Sequence, residues 1–437
     1  MKQILRGGHI VSHTGDERSY IGFDADIVIS NGIITDIVEP GSADGEGESI
    51  DVAGLWLVPG FSQCHTHLVQ TLFRGMADDL ELLEWLRDRI WPLEAAHDEE
   101  SAYWSARLGL TEMLLGGTTA ILDMASVHHT DAIFRAAEEC GIRAHIGKAM
   151  MDRPNEAGLS ESTEASLTSS CDLRDRWHQK GRLRYAFAPR FVPSCTQELL
   201  QGTVKEARAK GCLIHSHASE NRDEVELVRS LTGMDNVEYL QSLGMMGSDV
   251  ILAHCIHLTP SEIKLLSDTQ TAVAHCPGSN FKLGSGLALT PELLAHGVRV
   301  VLGADGAPCN NRMDIFAEMR LAALMPKPRL GASCIDANAV LDMATRVGSD
   351  VLQSQAGEIA PGLSADIVAL DPLQVHSLGA GARAGTLVYA MNPGNVKHVW
   401  IGGDRVVENA QLLCWDLEET LKECQKLAST MRKRAGL

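Results

Sequence analysis

Six residues of this chain are of the types that hold a divalent metal or move a proton, and they sit in short motifs spread over most of its length. His65 and His67 end the segment Pro59-Gly60-Phe61-Ser62-Gln63-Cys64-His65-Thr66-His67. His217 and Glu220 belong to His215-Ser216-His217-Ala218-Ser219-Glu220, His254 to Ala253-His254-Cys255, and Asp305 to Gly303-Ala304-Asp305-Gly306. Side chains two apart on a strand project to the same side, so His65 and His67 can face one point together. Neutral imidazoles with one carboxylate suit zinc or another divalent transition metal. Water bound to zinc has a pKa of roughly 7 in place of about 15.7, which makes hydroxide available at neutral pH.

Such motifs act together only if one scaffold gathers them. From Pro59 onward short apolar runs alternate with long helix-compatible stretches: Leu57–Cys64, Thr118–Met124, Arg143–Ala149, Leu183–Arg190, Cys212–His217, Val250–His254, Thr271–His275 and Val298–Gly303. Eight βα units predict a closed parallel (β/α)₈ TIM barrel, an α/β fold. The motifs close the first, fifth, sixth and eighth strands at their C-terminal ends, where barrel enzymes place their chemistry. Chance would scatter them over both ends. Upstream, Gln3–Val11, Ala25–Ser30, Ile33–Glu39 and Leu55–Val58 read as strands, with Asn31-Gly32 as a hairpin turn. Strand texture returns after about residue 355 in Ala365–Leu370, Val396–Ile401 and Arg405–Val407, with a turn at Gly402-Gly403-Asp404 and a last helix over Leu417–Arg434. The two chain ends are expected to combine in one small β-sandwich. The predicted division is 58–354 for the barrel, and 1–57 with 355–437 for the composite domain.

Bulk properties narrow the partners. The 437 residues exceed what one compact core of ordinary size takes. Hydrophobic residues at 45% and charged residues at 22% exclude disordered and fibrous classes. The net charge of −19, from 57 acidic against 38 basic residues, has the wrong sign for nucleic acid or an anionic membrane. No apolar run approaches the ~18 residues that cross a bilayer, and Met1–Ile10 lacks the parts of a signal peptide. Eleven cysteines without regular spacing, and without a C-x-x-C pair, read as reduced thiols of a cytoplasmic enzyme.

The Pro-Gly-Phe…His-Thr-His segment, His217-x-x-Glu220, Ala253-His254 and Gly303-x-Asp305 together resemble the amidohydrolase superfamily. The likeness covers nearly the whole chain, including Gly357–Pro372, which looks like that family's return to its small β-domain. Within the superfamily the chain is similar to the branch of guanine deaminases, 5′-deoxyadenosine and related adenine-nucleoside deaminases, and s-triazine hydrolases. The resemblance implies that His65, His67, His217 and Asp305 hold one divalent metal ion, Zn²⁺ first, with Fe²⁺ or Mn²⁺ as alternatives. It also implies a homo-oligomer. The expected reaction is hydrolytic release of ammonia from an aminated nitrogen heterocycle, a purine or purine nucleoside. Attack on an amino-bearing ring carbon needs the adjacent ring nitrogen protonated, which falls to Glu220. Asp305 takes a proton from the attacking water and passes it to the leaving amine. His254 stabilises the attacking hydroxide and the tetrahedral intermediate.

For the substrate, Gln70, three residues after His67, and Ala188-Pro189-Arg190-Phe191 resemble guanine deaminases. Arg190 could donate two hydrogen bonds to a ring carbonyl or nitrogen while Phe191 packs on a π-face. By contrast His67–Gly75 and Gly303–Asn311 look like adenine-nucleoside deaminases. Deaminases of the methylthioadenosine/adenosylhomocysteine type usually carry a Gly-Pro-His-like segment where this chain has Ala188-Pro189-Arg190. Glu84 and Trp85, on the amphipathic stretch Asp79–Glu94, could meet a ribose or stack on a ring. Of the other histidines, His215 and His275 are expected beside the site and His128-His129 at the pocket edge. Two other readings keep or lose the same site: an s-triazine hydrolase or pterin deaminase, and a non-catalytic relative that would have lost ligands this chain retains.

Overall fold

The computed structural model describes residues 2–14, 17–379, 381 and 383–437. Eight parallel strands form the barrel: β1 (Phe61–Thr66), β2 (Thr118–Met124), β3 (Arg143–Gly147), β4 (Leu183–Pro189), β5 (Leu213–Ala218), β6 (Val250–His254), β7 (Ala272–His275) and β8 (Val300–Leu302). Each pairs in parallel with the next, in chain order from β1 to β8. Closure comes where β8 returns to β1. Asp305 N–H donates to the His65 carbonyl at 3.0 Å, and Thr66 and Asp305 form a parallel bridge. Gly303 makes this approach feasible, because a Cβ there would lie 2.6 Å from the His65 carbonyl oxygen and 2.8 Å from its Cβ.

Why these runs form an inner barrel is visible in which face each residue uses. Small and branched side chains (Cys64, Ala120, Ala186, Ile251, Ala253, Ala274 and Val301) pack inside. Ile146, Tyr185 and Phe187 pack outward against the helices, Tyr185 on Phe134 of the helix Thr130–Cys140. Both faces are dry, which is why the strands read as continuous apolar runs and not as alternation. Helices restart promptly after the strand ends because polar caps sit there: the Asn221 side chain accepts from Asp223 N–H at 2.8 Å, and Thr196 and Thr259 cap the helices Gln197–Ala209 and Pro260–Thr269.

The chain ends meet in one mixed sheet of nine strands: Lys2–Thr14, Glu17–Ser30, Ile33–Val38, Glu48–Asp51, Trp56–Pro59, Ile367–Leu370, Val396–Ile401, Asp404–Glu408 and Gln411–Leu412. Trp56–Pro59, antiparallel to Ile367–Leu370, stitches the two ends together. The sheet curls on itself, since Ile34 N–H donates to the Leu363 carbonyl and Gly362 N–H to that of Ile34. Leu5, Ile10, Ile27, Ile29, Ile367 and Trp400 fill the space between its halves, so the sandwich expected from the sequence is built from a single folded-over sheet. Its first two strands are longer than their patterns suggested because they pair with each other out to His13 and Tyr20. Glu48–Asp51 was not anticipated; it adds in parallel to the first strand. The last helix, Leu417–Arg434, docks on the barrel helix Glu99–Leu115 through Arg107, which reaches Thr420 and Glu419.

Candidate metal centre

The C-terminal strand ends bring the six sequence-flagged residues to one point. His65 Nε2 lies 3.2 Å and His67 Nε2 3.3 Å from Asp305 Oδ1. His67 Nε2 is 3.2 Å from His217 Nε2. His65, His217, His254 and Asp305 each offer one ligand atom, all within 4.8 Å of one another. His254 Nε2 also faces Glu220 Oε2 at 3.5 Å and Asp305 Oδ2 at 3.8 Å. The Nε2 atoms of His65 and His254 are buried and have no hydrogen-bond partner. Buried imidazole nitrogens rarely stay unpaired, and a divalent metal accounts for nitrogens that converge on each other and on a carboxylate oxygen.

Hydrogen bonds behind the cluster decide which nitrogen of each ring faces it. His67 Nδ1–H donates to the Met124 carbonyl at 2.8 Å, and His217 Nδ1–H to the Arg190 carbonyl at 2.7 Å. His254 Nδ1–H donates to Asn280 Oδ1 at 2.8 Å. For His65 the support runs through a second ring. His215 Nδ1–H donates to the Ile251 carbonyl at 3.2 Å, so His215 Nε2 accepts from His65 Nδ1–H at 2.7 Å. The rings of His65, His67 and His217 therefore each aim an Nε2 lone pair inward, the arrangement metal-ligating histidines require, while His254 turns its Nε2 toward the carboxylates of Glu220 and Asp305. Ser279 Oγ–H orients Asp305 by donating to Oδ2 at 2.6 Å.

Electrostatics sorts the carboxyl groups. Burial opposes ionisation of Asp305, but the surrounding histidines, His65 foremost, hold its carboxyl well below the usual range. Burial instead pushes Glu220 up to about 7, only partly countered by His254. His254 is raised despite its burial, by the charges of Glu220 and Asp305. His67 is lowered to about 4, mainly by burial and then by the neighbouring His65, so it stays a neutral donor. A carboxyl poised near neutrality beside an ionised one is what proton transfer at physiological pH calls for.

The backbone carries strain at these strand ends. Ser219, His254, Cys255 and Asp305 have φ of 53°, 70°, 48° and 62°, in the left-handed region that costs an L-residue about 1 kcal/mol or more. These turns swing Glu220, His254 and Asp305 inward. Glu220 precedes the helix Arg222–Thr232, whose cap is Asn221 and whose first turn holds Glu224. It points at His254 and does not serve the helix end.

Above the cluster lies a pocket with apolar walls, Leu82, Trp85, Leu86, Phe191 and Leu283, and polar contributions from Gln70, Arg190 and Glu220. Trp85 combines wall and packing roles, its Nε1–H donating to the Ala77 carbonyl at 3.1 Å. Arg190 lines this pocket with its guanidinium already paired: it is 4% exposed and bound to the fully buried Glu94, with Nη1 to Oε2 at 2.6 Å and Nη2 to Oε1 at 3.1 Å. Gln70 Nε2–H donates to the same carboxylate at 2.8 Å. Burial works against ionised Glu94, yet Arg190 holds it below the usual range.

Glu84 is exposed and outside the pocket. A π-helical turn over Leu86–Ile90 interrupts the stretch and changes the helical phase beyond it, where Glu94 faces inward. His128 and His129 border a separate cavity with Lys148 and Glu161, not this pocket. His275 is buried, and burial lowers it to about 3. The sequence reading missed Glu94, Asn280 and Glu224. Glu224 accepts from Glu220 N–H at 2.8 Å, and burial raises it to about 7. Only Glu94 carried a signal, as a carboxylate at the end of the amphipathic stretch before the strongly apolar barrel helix.

Residues 56–406 match the amidohydrolase family. Among curated proteins, the 5-methylthioadenosine/S-adenosylhomocysteine deaminase of Desulfitobacterium hafniense is 34% identical over 434 residues, 98% of each chain. The 5′-deoxyadenosine deaminase of Methanothermobacter thermautotrophicus is 38% identical over 392 residues, 88% of this chain and 90% of that one. Among solved structures, a zinc-bound adenosine deaminase from Xanthomonas campestris superposes with a TM-score of 0.93 at 28% identity, over 99% of this chain and 98% of the other.

Proposed function

This chain belongs to the amidohydrolase family, and we propose that it is a zinc-dependent aminohydrolase that removes the amino group from a 6-aminopurine nucleoside, with barrel residues 58–354 supplying the chemistry and the chain ends a scaffold. The observation that carries the reading is Glu220: a buried carboxyl near neutrality, 3.5 Å from His254, set between the ligand cluster and the apolar walls of the pocket. Relatives named as adenine-nucleoside deaminases over nearly the full chain support the substrate class, and the zinc of a structural neighbour supports the metal.

In this proposal His65, His67, His217 and Asp305 hold the ion, their inward Nε2 and carboxylate atoms being the ones that fit it. When bound, a divalent metal lowers the pKa of water enough to provide a hydroxide nucleophile at neutral pH. Leu82, Trp85, Phe191 and Leu283 hold the ring and exclude bulk water. Glu220 delivers its proton to the ring nitrogen beside the reacting carbon, which makes that carbon electrophilic. His254, fixed by Asn280, donates toward the oxygen that becomes negative as the carbon turns tetrahedral. Asp305, ionised, accepts the proton from the incoming water and returns it to the departing amine. Gln70 and the Arg190–Glu94 pair form the polar wall that reads the far side of the substrate.

A second reading has a specific observation in its favour. Gln70 Oε1 is buried with no partner, an acceptor suited to a ring N–H of a free base such as guanine. One screen separates the two. Ammonia release from adenosine, 5′-deoxyadenosine, guanine, pterins and aminotriazines is measured together with metal content. Highest kcat/KM on an adenine nucleoside is expected; a preference for guanine would replace the first reading with the second, and no ammonia from any aminated ring by metal-replete protein would end both.

A further inference from the structure

A polar cavity of about 90 Å³ opens at the opposite end of the barrel, where the strands begin, and Arg143, His145, His178, Arg182 and Arg184 line it. Three guanidiniums meet only two carboxylates there. Arg143 is paired with Asp366 at 3.0 and 3.1 Å, and Arg182 with Asp404. Arg184 has no carboxylate partner among the described residues. Its Nη1 donates to the carbonyls of Gly181 and Leu183, which leaves the rest of the guanidinium for the cavity. On a chain of net charge −19 this is a local surplus of positive charge.

The two histidines add a donor and an acceptor. His178 Nδ1 accepts from Tyr185 N–H at 3.1 Å, so its proton sits on Nε2 as a donor. His145 is 7% exposed and donates Nε2–H to the Leu352 carbonyl at 2.9 Å. Its Nδ1 is buried with no partner. Burial lowers this ring to about 4, so at neutral pH it is uncharged and Nδ1 is a lone-pair acceptor. The cavity therefore presents strong donors for an anion, and His145 in its wall carries one buried acceptor, Nδ1, that lacks a partner.

We propose that this cavity binds inorganic hydrogen phosphate, with Arg184 and His178 donating to its oxygens and its P–OH donating to His145 Nδ1. The lone acceptor is what selects the ligand. Sulfate, or a phosphate monoester as a dianion, brings only acceptor oxygens and would set a lone pair against that of His145. Hydrogen phosphate satisfies both kinds of partner, and charge-assisted bonds from arginine to phosphate are among the stronger ones a protein makes.

The test is calorimetric titration of the metal-loaded, full-length protein at about pH 8, where monoesters are dianions and inorganic phosphate still keeps one proton. The probes are inorganic phosphate, sulfate and methyl phosphate at matched ionic strength. One saturable phosphate site per chain is expected, at least ~10-fold tighter than either other anion. Arg184→Gln and His145→Phe should each weaken it at least ~10-fold, while ammonia release without phosphate stays unchanged. Arg184 is partly exposed, so its variant keeps the test valid if the His145 variant does not fold. Phosphate binding that is undiminished in Arg184→Gln would lie elsewhere, at the metal centre for one. That result, equal affinity for sulfate, or no saturable binding would overturn the proposal.

Discussion

Arg190→Met removes one member of a fully buried ion pair and leaves the other behind. In the native protein Glu94 is wholly buried and receives two hydrogen bonds from Arg190, at 2.6 and 3.1 Å, plus one from Gln70 at 2.8 Å. Stripping one partner from such a pair costs about 3–5 kcal/mol, most of it the uncompensated charge that remains. Replacing both members with neutral groups of similar shape costs far less, so Arg190→Met/Glu94→Gln should recover most of the loss, a coupling of about 3 kcal/mol in a double-mutant cycle. Urea denaturation of the four metal-loaded proteins measures it. The pH dependence supplies a sign. In the native protein Glu94 is depressed, so its contribution is present above the unfolded value of about 4.3 and is lost as pH falls through the folded one. In Arg190→Met only His67 and the Gln70 bond still oppose burial, which should raise Glu94, so stability is present below about 4.3 and lost as pH rises. The penalty of the variant should therefore widen between about pH 4 and 7. Its kcat/KM should fall by roughly ten- to a hundredfold, as for the loss of 1–3 kcal/mol of wall interactions. A cost below about 1 kcal/mol near neutrality, or strict additivity in the cycle, would refute the reasoning.

His217→Ala should remove most of the bound metal, read by elemental analysis; unchanged metal would remove His217 from the ligand set. Glu220→Gln should leave metal and fold intact and lower kcat by at least ~10²-fold, the scale of a positioned acid; near-normal turnover would mean another group protonates the ring. His215→Leu, which deprives His65 of its acceptor, should weaken metal binding by roughly 10- to 100-fold in a chelator competition. Affinity equal to wild type would show that the paired rings do not support the ion.

The barrel and the six residues at its mouth were legible because their signal is local: a short apolar run, then a histidine, glutamate or aspartate at its end. What supports them was not. Asn280 and Ser279 hold His254 and Asp305 from the short helix Pro277–Lys282 after β7, a partnership no spacing within either motif reports. His65 depends on His215 through an Nδ1–Nε2 contact across 150 positions of chain, visible only once β1 and β5 share an interior. Glu94 shows a different failure. Helical periodicity carried across Leu86–Ile90 assumes 3.6 residues per turn, and the wider π turn there rotates everything beyond it.

The main-chain oxygen of residue 190 accepts from the His217 ring at 2.7 Å and from its N–H at 3.0 Å, while the side chain at 190 serves only the pocket wall. Every amino acid brings the same carbonyl. A change at this position can therefore rewrite what the wall prefers while the anchor of the ion persists through the substitution. On the proposed function, affinity for metal and choice of substrate are therefore separable at this one position, since a change at 190 with a compensating change at 94 leaves the carbonyl that supports His217 in place.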